Sequence, residues 1–153
     1  GGKITYHGPG QIVAYFICKF PFDRYGGFIT DVEDIAITTL RNFGIAAYSR
    51  KEEVDPRSGK RGIRGAWYKF NGVHKKIAAQ GLQIEHAGEK SVVTMHGFAM
   101  NVSTDLRNFE KIYPCGFAHD VMFSMEAALG RKIEIDNVKQ EILRQLRSYV
   151  SKW

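Results

Sequence analysis

Residues Gly65–Val102 read GAWYKFNGVHKKIAAQGLQIEHAGEKSVVTMHGFAMNV, and this stretch decides the fold class. Three β-prone runs follow one another: Ala66–Asn71, Lys75–Glu85 and Val92–Val102. Asn71-Gly72 lies between the first two and is a strong hairpin signal, because both residues tolerate the positive φ of a tight two-residue turn. His86–Lys90 supplies the second turn. The stretch therefore predicts a meander of three antiparallel strands whose side chains alternate between two faces.

Upstream, Lys3–Tyr6 reads as a short strand, broken by His7-Gly8-Pro9-Gly10. Gln11–Cys18 is apolar and β-prone, so it reads as a buried strand. Pro21–Gly27 reads as a loop. Thr30-Asp31-Val32-Glu33 matches a capping box, in which Thr30 caps a helix and Glu33 reaches back. Val32, Ile35, Ala36, Thr39, Leu40 and Phe43 recur at helical spacing until Gly44 ends the run. Ile45–Ser49 reads as a strand, and residues 51–63, with Pro56 and Gly59, as a charged loop. Downstream, Asp105–Ile112 reads as a short helix capped by Thr104. A helix over Asp136–Ser151 closes the chain, with Val138, Ile142, Leu146, Tyr149 and Val150 on one face. Strands flanked by helices predict an α+β domain spanning 1–153, with a mixed, largely antiparallel sheet.

Composition agrees. The 153 residues are 44% apolar and 25% charged, ordinary values for one packed domain. No run approaches the roughly 18 apolar residues of a membrane span. Two cysteines exclude a disulfide scaffold and make a reducing compartment the default. The net charge of +6 is concentrated: residues 50–64 and 131–153 each carry six basic and three acidic groups. These segments are either solvated faces or surfaces for acidic partners. No basic stripe interleaved with exposed aromatics supports nucleic-acid binding. A dense motif begins at Gly1 with no initiator Met, so an N-terminal piece is expected to precede it.

Cys115 stands in Pro114-Cys115-Gly116, where a restricted backbone and a glycine suit a thiol presented in a tight turn. A nearby cation would favour its nucleophilic thiolate. The alternative is a small buried apolar residue. Cys18 ends an apolar run and reads as such a residue. Lys76 enters the apolar run Ile77-Ala78-Ala79, so it is either a surface lysine or one held in a pocket. His7 lies in a glycine-rich turn without P-loop or dinucleotide spacing. His96 is either a polar core residue or a pocket wall. His74, His86 and His119 carry no readable signal. Patterns for a serine hydrolase or a zinc protease are absent.

Read together, Gly1-Gly2-Lys3-Ile4-Thr5-Tyr6-His7-Gly8-Pro9-Gly10-Gln11 closely resembles the hallmark of the lipoyl(octanoyl) transferase family. Gly65-Ala66-Trp67, Lys76-Ile77-Ala78-Ala79 with Gly81, and His96-Gly97-Phe98-Ala99-Met100-Asn101 match it in order. Asp105-Leu106, Phe109, Ile112 and Pro114-Cys115-Gly116 complete the set. The resemblance implies the α+β fold shared with biotin and lipoate ligases. It also implies transfer of an octanoyl or lipoyl group from acyl carrier protein to a lysine of lipoyl domains, those of 2-oxoacid dehydrogenases and the glycine cleavage H protein. Cys115 would form the acyl-thioester, and Lys76 would lower its pKa and move protons. Gly1, Gly2, Lys3, Ile4, Thr5, Tyr6, His7, Ala79, Gln80, Gly81, Gly97, Phe98 and Ala99 would line the acyl site.

That chemistry requires neither a metal nor a cofactor, and the resemblance implies a cytoplasmic protein, mitochondrial in a eukaryote, without nucleic-acid or membrane partners. Four features depart from the family pattern: no Arg precedes Gly1-Gly2, Gln80 replaces an apolar residue, Ala66 replaces Val, and residues 86–90 lengthen a hairpin. The competing readings are an ATP-dependent lipoate or biotin ligase and a non-catalytic module that binds acylated proteins.

Overall fold

The computed structural model describes residues 4–54, 61–112 and 119–153. Its centre is the expected meander. Strands β4 (Arg61–Phe70), β5 (Val73–His86) and β6 (Ser91–Asn101) pair antiparallel in succession. Asn71 and Gly72 adopt φ of 48° and 82°, and Phe70 pairs with Val73, so the two-residue turn forms as its chemistry demands. The second turn closes with Ala87 N–H donating to the Ser91 carbonyl at 2.8 Å, around Gly88 at φ 101°.

Strand β1 (Gln11–Tyr15) pairs antiparallel with β6, as does the short β2 (Lys19–Pro21). Strand β3 (Tyr48–Val54) flanks β4, giving the order β1-β6-β5-β4-β3. All strand pairs are antiparallel, so the mixed sheet of the expectation is here antiparallel throughout its described strands.

Helix α1 (Tyr25–Asn42) buries Phe28, Val32, Ile35, Ala36 and Leu40 in the core that also holds Ile12, Ala66, Ala78 and Met100 of the sheet. Each such large side chain contributes about 1.5–3 kcal/mol when fully buried. Helix α2 (Met125–Leu129) inserts Met125 into this core. Helix α3 (Ile135–Val150) adds Val138 and Ile142, with Leu146 and Tyr149 against its edge. Val150 lies outside that face and is exposed.

Several expectations are corrected. Ile4–Tyr6 carries no strand, and the chain there is held by side chains instead of a ladder. The first apolar strand stops at Tyr15, because Phe16 and Cys18 bond individually to His96 and Thr94. Pro21–Gly27 is no loop: a 3-10 turn at Phe22–Arg24 leads directly into α1. Gly26 and Gly27, poor helix formers, conceal that start, which burial of Phe28 secures. The capping box therefore does not form. Thr30 lies inside the helix and donates to the Gly26 carbonyl at 3.3 Å, while Glu33 turns inward.

The third strand begins at Tyr48, not Ile45, and runs on to Val54. Part of the expected 51–63 loop is thus the edge of a hairpin, with residues 55–60 outside the described residues. The short helix is a 3-10 segment, Leu106–Lys111, capped by Asp105 and not by the buried Thr104. Asp105 accepts from the Arg107 N–H at 3.1 Å, and the Arg107 guanidinium holds its carboxyl down to about 2.

Candidate active site

Register across the sheet separates its two faces. Ala66, Ala78, Met100 and Ile12 form one row across β4, β5, β6 and β1, and all four are buried under the helices. Gly65, Ala79, Ala99 and Val13 form the next row and therefore point the other way. Here Ala79 and Ala99 are half-buried and Val13 is exposed. Gly81 and Gly97 pair in the row beyond.

The residues expected to line the acyl site are thus divided. Ala79, Gly81 and Ala99 share the face away from α1. Gln80 points to the helical side, where its amide donates to the Ile29 carbonyl at 2.8 Å. Phe98 is buried there against Phe16, with ring centres 5.6 Å apart. Gly97 has a packing reason of its own: a Cβ would stand 2.1 Å from the Ala14 carbonyl oxygen and 2.6 Å from the Phe16 ring. Ile4, Thr5 and His7 are exposed, and Tyr6 packs edge-on against Phe109 at 5.4 Å. Gly1, Gly2, Lys3 and Cys115 lie outside the described residues, as does the Pro114-Cys115-Gly116 turn.

Lys76 is not a surface lysine: it is 6% exposed, in a sheet where lysine is almost never buried without partners. A bulge puts it there. Ala66 pairs with Ala78 but Trp67 pairs with Lys76, so Ile77 is an extra residue and the alternation breaks. The Lys76 ammonium stands 5.0 Å from the centre of the Trp67 ring, a cation–π contact. Its stem crosses Gly65, where a Cβ would come within 2.7 Å of Lys76 Cε. The Lys76 carbonyl accepts the Phe123 N–H at 2.9 Å, and Met122 bridges to Lys76 in parallel. The chain returning after residue 118 is therefore stitched to β5 beside this lysine.

Sequence reasoning quoted Gln11 and Asn101 only as motif members and gave them no role. They form a directed chain of hydrogen bonds. Fully buried Asn101 donates from Nδ2 to the Phe123 carbonyl at 3.0 Å, so its Oδ1 faces Gln11 and accepts from Gln11 Nε2 at 2.8 Å. Gln11 Oε1 must then accept, and His7 Nδ1 lies 2.6 Å from it as the donor. The fixed carbonyl of Phe123 thus orients His7 through two amides. The period-two pattern hides this, because polar residues in an apolar strand show no partner until the fold is known.

Glu33 was also missed. It is 1% exposed, on the core side of α1; its Oε2 accepts from Arg64 Nη1 at 2.9 Å, and Oε1 accepts from the Gly65 N–H at 2.9 Å. The remaining candidates are structural. Burial pushes the half-buried Cys18 thiol above its ordinary value, in keeping with a packed residue. His96 is exposed and so is not a polar core residue; it adopts φ 66°, and its carbonyl accepts from the Phe16 N–H. His74 bonds to the Tyr48 hydroxyl, and His86 stacks on Phe22.

A buried lysine at a bulge beside Gly65, on an antiparallel sheet backed by helices on one face, marks the chain as an α+β domain with one face left free of helices among the described residues. The chain belongs to the lipoyl protein ligase A/B catalytic domain family, which it matches over residues 1–147. It is 36% identical over 149 residues to an octanoyltransferase of Bacteroides fragilis, covering 95% of this chain and 61% of that one. An octanoyltransferase of Pelobacter propionicus is 34% identical over 158 residues, covering 100% and 65%.

The fold matches, with a TM-score of 0.64, a structure from a study of an archaeal lipoylation system, a bi-partite lipoate protein ligase and its E2 lipoyl domain from Thermoplasma acidophilum. Identity there is 15%, over 99% of this chain and 55% of the other. The chain spans 53–65% of the length of the curated relatives it matches. Among the described residues, no helix is long and apolar enough to cross a membrane.

Proposed function

We propose that this chain carries the catalytic region of an octanoyltransferase, which moves an octanoyl or lipoyl group from acyl carrier protein to a lysine of lipoyl domains. The acceptors under this reading are the lipoyl domains of 2-oxoacid dehydrogenases and the glycine cleavage H protein. The observation that carries it is the 34–36% identity to octanoyltransferases over nearly the whole chain. The buried position of Lys76 against Trp67 supports it, since a cation kept out of water beside a thiol favours the thiolate.

In this reading the Cys115 thiolate attacks the carrier thioester. The C–S bond to the carrier breaks, the carrier thiolate leaves and takes the proton of Lys76, which becomes neutral, and the acyl group rests on Cys115. Exchange of one thioester for another is nearly isoenergetic, so no nucleotide has to drive it. The acceptor lysine, entering as the free amine after giving one proton to water, then attacks the acyl-cysteine and gives its second proton to the neutralised Lys76. An amide forms, the Cys115 sulfur leaves as thiolate, and the step runs downhill. Backbone N–H groups of the glycine-rich turn stabilise the developing oxyanion. The acyl chain lies along the small residues Ala79, Gly81 and Ala99. Basic residues of 50–64 and 131–153 meet acidic partner proteins and speed their encounter.

Intact-mass spectrometry after incubation with octanoyl carrier protein tests this. The expected result is one octanoyl adduct on the wild type, none on Cys115→Ala, and transfer to a lipoyl domain without ATP. An adduct on Cys115→Ala overturns the assignment. Transfer that requires ATP marks a ligase, and binding without an adduct marks a non-catalytic module.

A further inference from the structure

Among the described residues, Glu33 is the one charged side chain that is fully buried, and none of the chemistry above uses it. It projects from α1 between Val32 and Ile35, both completely buried, where an aliphatic residue would pack without the cost of desolvating a carboxylate. Replacing a buried ion pair with apolar groups is often neutral or stabilising, so general stability is a poor reason for it. Its contacts supply a better one. The two oxygens grip consecutive residues of β4: one takes the Arg64 guanidinium, the other the Gly65 N–H, each at 2.9 Å.

Gly65 is where β4 passes under Lys76. It holds φ 126°, a conformation L side chains rarely adopt. A Cβ there would strike both the Ala78 carbonyl oxygen, at 2.3 Å, and Lys76 Cε, at 2.7 Å. The bulge that brings Lys76 opposite Trp67 begins at the next residue pair. The backbone that Glu33 holds is therefore the floor on which the lysine stem lies.

We propose that Glu33 is a positioning residue: by gripping Arg64 and Gly65 it fixes the floor beneath Lys76 and so sets where that ammonium stands. The consequence for transfer rests on the octanoyltransferase reading; the positional claim does not. A Gln at 33 can accept the Gly65 N–H, but its NH2 then faces the Arg64 guanidinium, so both contacts cannot persist.

The test uses the full chain with 13C-labelled lysine. The Lys76 Cε protons, lying near the Trp67 ring, are expected to be ring-current shifted, with assignment by loss of the signal in Lys76→Arg. In Glu33→Gln with an unchanged far-ultraviolet spectrum, that signal moves toward the position of exposed lysines. Turnover in octanoyl transfer falls roughly 10- to 100-fold while the KM for carrier protein holds, because a small misplacement of a reacting group costs about that much. A signal that stays in place in folded Glu33→Gln overturns the proposal.

Should Glu33→Gln fail to fold, Arg64→Gln decides. The Arg64 side chain is 32% exposed, and its loss frees one of the two oxygens. A smaller movement of the Lys76 signal supports the proposal, and none overturns it. If the wild type forms no octanoyl adduct, the functional reading fails, and the lysine signal still judges the role of Glu33.

Discussion

The two faces of the sheet are built from adjacent positions of the same strands, yet they are made differently. Ala66, Ala78, Met100 and Ile12 lie under α1, at most 8% exposed. One residue along, Gly65, Ala79, Ala99 and Val13 bear small or exposed side chains. The covered face is explained by packing alone: side chains from helix and sheet interdigitate at crystal-like density. The other face needs two explanations. Gly65 and Gly97 are required by close approach of Lys76, Ala78, Ala14 and Phe16. Among the described residues, no backbone or side chain lies within 4 Å of a Cβ added at Gly81, so their contact does not account for that glycine. Close packing therefore resides on one side, and under the proposed function the acyl site lies on the other.

The contrast predicts that stability and transfer respond to opposite sides. Met100→Ala, on the covered face, should cost about 2–5 kcal/mol of unfolding free energy, read from urea denaturation at constant slope. A loss below about 1 kcal/mol would mean that the helical layer is loosely packed. One residue away, Ala79→Leu should change stability by no more than about 0.5 kcal/mol, since it stands half-exposed. Under the proposed function it should lower octanoyl transfer at least about tenfold, because a pocket filled by extra methylenes discriminates by that much. Unchanged rates with octanoyl carrier protein would move the acyl site elsewhere.

The smallest effect lies at the back of the helical layer. Glu141 on α3 accepts from Arg144 and, at 2.7 Å, from Asn42 at the end of α1. Arg144 is the main cause holding its carboxyl at about 2, below the usual 4.5. Because the folded value is depressed, the stabilisation is complete above about pH 4.5 and is lost as pH falls toward 2. Arg144 is largely exposed, so the contribution is at most about 1 kcal/mol. Melting of Glu141→Gln should show a shallower acid decline than the wild type in that window and parallel it above.

How far these faces could be read beforehand depends on the range of the forces involved. The meander was legible because Asn71-Gly72 and alternating apolar residues act locally. The start of α1 was not, because Gly26-Gly27 argues against a helix that Phe28 secures by distant burial. Lys76 was legible as a candidate only through its motif. Alternation correctly separated it from Lys75, but the bulge at Ile77, which brings it opposite Trp67, left no mark in the pattern. Glu33 looked like a capping residue because a carboxylate three places after a threonine fits that role; only the proximity of β4 gives it another. The Gln11–Asn101 bond joins residues 90 positions apart, beyond any local signal.

That separation also governs how the protein is made. Among the described residues, strand β1 pairs with β6 and with no other strand, so the Gln11 end of the chain leaves the ribosome long before its partner. At about 5–20 residues per second, an apolar strand stays without its ladder for on the order of 5–20 s. During that interval β4, β5 and β6 emerge in the order in which they pair, each closed by a short turn. Gly10, whose carbonyl accepts from the Val102 and Ser103 N–H groups, is therefore fixed only after β6 has emerged. Until β6 emerges, β1 remains an exposed strand awaiting its mate.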